Sequence, residues 1–136
     1  MRKDVLIADL VRDEGLRLAP YKDSVGKLTI GIGRNLEDRG ISWAEAQFLL
    51  DNDIAIATAD LDRNAPWWRN LSEGRQRALV NMAFNLGVPG LMRFEKMLSA
   101  LERGEYDDAA REALDSRWAR QVGARAQRIA RLIRKG

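Results

Sequence analysis

A chain of 136 residues, 46% hydrophobic and 32% charged, can fill one modest core, and no apolar run in it approaches the roughly 20 residues of a membrane span. It has no cysteine and no histidine, which excludes disulfides, thiol and Ser–His nucleophiles, thiolate metal sites and the usual zinc sites. The net charge of +3 is unevenly placed: seven basic residues and no acid lie between Arg117 and Gly136, and such an end suits an anionic polymer or surface.

The N-terminus begins basic, as a signal peptide does, but Asp4 and Asp9 interrupt any apolar stretch and no small-residue cleavage site follows. The expectation is a folded helix over about 3–14. Leu6, Ile7, Leu10 and Val11 recur at helical spacing, and Gly15 stands where a C-terminal cap belongs. Arg17 to Tyr21 and Lys27 to Ile32 then pair around the reversal Asp23-Ser24-Val25-Gly26, and Asn35 to Gly40 reads as loop. Ser42-Trp43-Ala44-Glu45 fits a capping box that opens a long helix to about Leu61, ended by Asn64-Ala65-Pro66. Ser72 caps the next helix, which carries Leu79, Met82, Ala83 and Leu86 on one face. Gly87 closes it, and Val88-Pro89-Gly90 reads as a turn. Short helices near 93–103, 106–114 and 117–121 follow, broken at Gly104 and near Ser116, and a last helix runs from about Ala124 to Arg134.

This order predicts an α+β fold, mostly helical. A small hairpin or sheet lobe (15–45) is joined by a long helix (42–62) to a helical lobe formed by 1–14 with 63–136, in one domain of 1–136. A cleft between such lobes is a natural ligand site. Trp67-Trp68 could stack on a sugar, but a tryptophan pair at a turn between helices more often fills core, and Trp118 is read the same way.

The chemistry concentrates between Asp13 and Asn35. Taken singly, each residue there has an ordinary explanation. Glu14 can be a solvated acid beside a capping glycine, although a carboxylate in the last helical turn faces the negative end of the dipole. Asp23 is a favoured turn residue, and Thr29 a β-branched residue in a strand. Gly31 and Gly33 fit a kinked strand or bulge. Glycine also lets a sugar chain approach the backbone closely, and Gly33 is taken as such a contact. Together they suggest more. Glycoside hydrolysis needs one carboxylic acid to protonate the leaving oxygen and one carboxylate on the anomeric side. A helix end followed by a hairpin can bring Glu14 and Asp23 to opposite walls of a groove. Without histidine, this is the simplest hydrolytic apparatus the chain can assemble.

The segment Asp13 to Asn35 resembles the catalytic region of the phage-type lysozymes (glycoside hydrolase family 24, the T-even phage endolysin group). The shared features are the Glu-Gly pair, Tyr21-Lys22-Asp23 and Thr29-Ile30-Gly31-Ile32-Gly33. The resemblance continues through Arg77-Ala78-Leu79-Val80-Asn81-Met82-Ala83-Phe84-Asn85-Leu86-Gly87, Ser116-Arg117-Trp118 and Arg125-Ala126-Gln127-Arg128, in family order. It implies a lysozyme-like fold and a muramidase that cleaves the β-1,4 bond between N-acetylmuramic acid and N-acetylglucosamine with inversion. It further implies Glu14 as general acid, Asp23 as the carboxylate that activates or steers water, and Thr29 as the hydroxyl that helps place that water. Phe84, Asn85 and Arg117 match cleft positions associated with the glycan or its peptide stem, and Arg125 an arginine that pairs with the catalytic glutamate. No metal or cofactor is expected. Four positions depart from familiar members. Arg34 replaces a histidine whose pairing with an aspartate cannot form here, Asn35 stands where those members have an apolar residue, and Met97 and Glu112 stand where polar substrate contacts are usual. A related group of endolysins carries Gly-Arg-Asn at the first of these places.

In the last helix Arg125, Arg128, Arg131 and Arg134 form a stripe, with Ala126, Ile129, Leu132 and Ile133 largely elsewhere. The expectation is a helix that packs its apolar side and solvates its basic side. The basic side can also contact an anionic wall or membrane surface. A membrane-permeabilising module without enzymatic activity is one rival reading. A nucleic-acid binder is another, but it lacks a recognised reading motif, so no nucleic acid is expected. The partner is expected to be peptidoglycan, and the protein a monomer. It is expected to be made in the host cytoplasm without a signal peptide and to reach the wall through a holin-type pore.

Overall fold

The computed structural model describes all residues, 1–136, and they fall into two compact units, Met1–Phe48 and Leu49–Gly136. The first unit holds helix α1 (Lys3–Glu14), strands β1 (Arg17–Lys22), β2 (Leu28–Gly31) and β3 (Arg34–Asn35), and the start of α2 (Trp43–Asn64). The three strands form one antiparallel sheet in the order β1-β2-β3. Tyr21 lies opposite Thr29 and Lys22 opposite Leu28, but the register shifts between Arg17 and Tyr21. Pro20 falls inside that interval and has no N–H to give the ladder, which accounts for the irregularity.

The turn after β1 is built by Asp23. Its Oδ1 accepts from the backbone N–H of Val25 (3.0 Å) and of Lys27 (2.8 Å), while Gly26 takes a positive φ of 82°. The next turn places Gly31 and Gly33 at φ 71° and 72°, on either side of Ile32. This is a conformation that side chains with a Cβ avoid. The loop reading of 35–40 requires one correction, because Arg34 and Asn35 pair with Ile30 and Thr29 as a third strand. A two-residue strand carries no periodicity by which it could be read. Asn35 Oδ1 then accepts from the Asp38 N–H, and Leu36 N–H donates to Leu28 O, which ties the loop back to β2.

The capping box at Ser42 forms as expected. Glu45 N–H donates to Ser42 Oγ at 3.1 Å, and Ser42 N–H to Glu45 Oε1 at 2.9 Å. Arg34 joins it: Nη1 reaches both oxygens of Glu45, at 2.8 and 2.7 Å, and also donates to Gly40 O. The residue that replaces the familiar histidine thus ties β3 to the first turn of α2. The Arg34 bond, followed by those from Ser42, pushes the Glu45 carboxyl down to about 2. An acid lowered in the folded state adds stability above its unfolded value, and that stability fades as pH falls toward the folded one. Glu45→Gln keeps the capping geometry and removes the charge. Its melting temperature should therefore lie below wild type at neutral pH, and the gap should close between about pH 4.5 and pH 2. Both side chains are partly exposed, so the gap should also narrow in high salt. A difference unchanged at pH 2 in thermal melts would show that the pair contributes no ionic stability.

The second unit is helical: the rest of α2, a 3₁₀ turn (Pro66–Asn70), α3 (Glu73–Met92), α4 (Glu95–Glu102), α5 (Tyr106–Leu114), α6 (Arg117–Val122) and α7 (Ala124–Lys135). Its core gathers Leu61, Trp68, Leu79, Met82, Leu91, Met97, Leu101, Ile129 and Ile133, each at most 2% exposed. Helix α5 buries only alanines, Ala109, Ala110 and Ala113, and packs against α4 and α7. Small side chains let those helix backbones come close. Trp68 fills core, as expected, and its indole N–H donates to Asp62 Oδ1 at 2.7 Å. The bonds from Arg69 and then from Trp68 hold the Asp62 carboxyl below its ordinary range.

At Gly87 the backbone leaves helical geometry (φ 74°, ψ 155°), as the expected stop requires, but Val88-Pro89-Gly90 is helical rather than a turn. Pro89 is tolerated because its missing N–H falls in the first turn after the break. Helix α7 buries Ala126, Ile129, Ala130 and Ile133 and leaves Arg128, Arg131 and Arg134 exposed, as its pattern predicts, whereas Arg125, the first of the expected basic stripe, is half-buried and bonds Asn81. Arg75 caps its C-terminal end, donating from Nε to Ile133 O (2.7 Å) and from Nη2 to Arg134 O (2.9 Å), which complements the negative helix end. In α1, none of the residues is buried; Leu6, Ile7, Leu10 and Val11 are 37–49% exposed. No helix is long and apolar enough to cross a membrane.

Candidate active site

In the first unit, Glu14 is the last residue of α1, and the chain leaves the helix at once through Gly15 (φ 78°), whose N–H bonds Val11 O. That exit points the chain into β1. Glu14 is an exposed residue, and its carboxyl lies against the turn between β2 and β3. A Cβ placed on Gly33 would stand 2.7 Å from Glu14 Oε2 and 2.8 Å from its Cδ.

Asp23 and Thr29 meet through one residue. The Lys27 N–H donates to Asp23 Oδ1 at 2.8 Å, and the Lys27 carbonyl accepts from Thr29 Oγ1 at 2.9 Å. Thr29 is 3% exposed, the one buried polar residue of the chain. Its proton is committed to the Lys27 carbonyl, so its oxygen is left to accept from another donor. Asp23 is half-buried. Its Oδ1 makes both turn bonds, which leaves Oδ2 for other work. The turn role of Asp23 therefore uses one carboxylate oxygen and leaves the other without a bond to the protein.

The second unit gathers the other predicted positions around α3. Asn81, Phe84 and Asn85 share one face, at helical spacing. Asn85 Oδ1 accepts from the Trp118 indole N–H at 2.8 Å, and Trp118 in turn meets Phe94 edge-to-face at 6.0 Å. Trp118 is buried, so Arg117 beside it projects from the start of α6 and is exposed. Arg125 donates from Nε to Asn81 Oδ1 (2.9 Å) and from Nη2 to Asn81 O (3.2 Å). Phe84 is 45% exposed and lines, with Arg125, Asn81, Val80, Ile54 and Leu50, a groove of about 580 Å³. The sequence reading did not single out Asn81. Its spacing, four residues before Asn85 on the same face, was the available signal.

Of the departing positions, Met97 is only 1% exposed and packs in the core. It also lines, with Phe94, Lys96, Glu112 and Ser116, a recess of about 350 Å³. No group of three or more acidic side chains is arranged to hold a metal ion.

The phage lysozyme family profile matches residues 11–135. The chain is 33% identical, over 93% of its length, to the pre-baseplate central spike protein Gp5 of Enterobacteria phage T4, and spans 27% of that protein. It is 29% identical over 96% of its length to the probable T4-type lysozyme 1 of Dictyostelium discoideum, of which it spans 94%. With the SAR-endolysin of Escherichia phage Mu it shares 32% identity over 84% of its length, covering 66% of that protein.

Proposed function

The chain belongs to the phage lysozyme family and is a glycoside hydrolase, and we propose that it cleaves the β-1,4 bond between N-acetylmuramic acid and N-acetylglucosamine in peptidoglycan with inversion. Glu14 gives its proton to the glycosidic oxygen of the departing sugar. Asp23 takes a proton from a water through Oδ2, and Thr29 Oγ1 accepts that water's other hydrogen. The water oxygen bonds the anomeric carbon from the opposite face as the glycosidic bond breaks through an oxocarbenium-like transition state. Inverting enzymes place the two carboxyl groups about 6.5–9.5 Å apart to leave room for the water. General acid and general base are each worth about 10²–10⁴ in rate.

The observation that carries this reading is the backbone of Lys27. Its N–H donates to Asp23 Oδ1 and its carbonyl accepts from Thr29 Oγ1, so one residue ties down both side chains and leaves Asp23 Oδ2 and a lone pair of Thr29 Oγ1 to accept. A pair of acceptors locked in this way can orient a water without rearranging. Phe84, Asn85 and Arg117 are assigned to the glycan or its peptide stem, and Arg125 to a supporting role.

The role suggested by a relative named endolysin is host lysis, and release onto the wall through a holin-type pore is part of this proposal. The exposed basic face of α7 (Arg128, Arg131, Arg134) would add attraction to anionic wall polymers, and the protein would act as a monomer.

Product analysis tests the reaction. Digestion of purified peptidoglycan in ¹⁸O-water should yield fragments with a reducing N-acetylmuramic acid end that carries one heavy oxygen. NMR of the first product should show the α-anomer before mutarotation. Anhydro ends would identify a transglycosylase instead, and an uncut glycan backbone an amidase.

A further inference from the structure

The sequence predicts that sugar comes close to the backbone at Gly33, but the group that comes close to it in this structure is Glu14. A Cβ at position 33 would sit 2.7 Å from Glu14 Oε2, 2.8 Å from Cδ and 3.0 Å from Cγ, closer than side-chain carbons pack. The outer half of the glutamate therefore lies flat on the bare α-carbon of residue 33. Glu14 is otherwise exposed at the end of a helix, where a long side chain has several rotamers open to it. We infer that Gly33 is a positioning residue for the reaction: its missing side chain makes the seat that selects the Glu14 rotamer. This rests on the reading of Glu14 as the acid.

The same turn supplies the control. Gly31 and Gly33 have nearly equal positive φ, 71° and 72°, so alanine strains the backbone similarly at either place. They differ in what the new methyl meets: the Glu14 carboxyl at 33, and nothing within 4 Å at 31. Conformational strain is thus common to Gly31→Ala and Gly33→Ala, while the contact with Glu14 belongs to the second alone.

Both variants are to be compared on soluble, uncross-linked glycan strands, with kcat, KM and melting temperature measured for each. The two should melt at similar temperatures. Gly33→Ala should lose about 100-fold in kcat with KM little moved, because misplacing a reacting group by about 1 Å costs that much, while Gly31→Ala stays within about threefold of wild type. A contact with substrate would instead raise KM. Equal kcat losses in the two variants, or a loss confined to KM, would overturn the inference. If Gly33→Ala does not fold, the double variant Glu14→Ala/Gly33→Ala decides. Recovered folding assigns the clash to the glutamate and supports the seat, and continued failure refutes it. Glu14→Gln keeps the two questions apart. If that variant is inactive while the glycine variants behave alike, the acid assignment stands and only the seat falls.

Discussion

Glu14→Gln should fold as wild type does and lose about a thousandfold or more in peptidoglycan clearing, near the middle of the range for removal of a general acid. The amide matches the carboxyl in shape, so its rest against Gly33 is kept and no cavity opens. The side chain is exposed, and substitutions at exposed positions usually change stability by no more than about 0.5 kcal/mol. What the amide lacks is a proton acidic enough to give to a departing sugar oxygen. Because the effect falls on a bond made only as the glycosidic bond breaks, kcat should fall while binding of glycan fragments changes little. Turbidity clearing, fragment binding and thermal melts on the same preparation separate these outcomes. If the variant clears within tenfold of wild type, the acid lies elsewhere in the chain, and Glu14 is the solvated helix-end carboxylate that its position alone suggests.

Local signals were strong where the chain punctuates itself. Ser42 with Glu45, Ser72, Gly87, Gly104 and Ser116 each mark a boundary that the backbone observes, because caps and breaks act within a few residues. Signals failed where the cause lies further along the chain. The Arg34–Glu45 pair links residues 11 apart, and the capping box already explained Glu45, so nothing in the spacing asked for a second partner. The contact of Glu14 with Gly33 spans a helix end, a hairpin and a second turn. Sequence marks Gly33 as a backbone exception without saying which side chain uses the space. Asn81 carries no signal of its own in the sequence, because an asparagine on a helix has no characteristic role until the arginine it holds is known. The apolar stripe of α1 shows the limit in another form: periodicity identifies which face is apolar, whereas burial depends on what meets it.

Asp23 allows its structural and chemical roles to be separated by choice of substitution. Asp23→Ala removes Oδ1, and with it the two bonds that shape the β1–β2 turn. Each such bond is worth about 0.5–1.5 kcal/mol, so this variant should melt several degrees lower as well as lose activity. Asp23→Asn keeps a carbonyl oxygen to accept from Val25 and Lys27 and puts an NH₂ group where Oδ2 stood. The turn and the melting temperature should survive. The water would then face a donor in place of an acceptor, and activity should fall by about 10²–10⁴, the share of a general base. The carbonyl of Lys27 stays in place to take the Thr29 proton, so the loss cannot be assigned to disorder of that hydroxyl. Two results would decide against the chemical role. One is an asparagine variant with near-wild-type turnover, which would leave Asp23 a turn residue. The other is an asparagine variant whose activity loss follows its loss of fold across a temperature series, since a missing proton acceptor should be felt equally where the protein is fully folded.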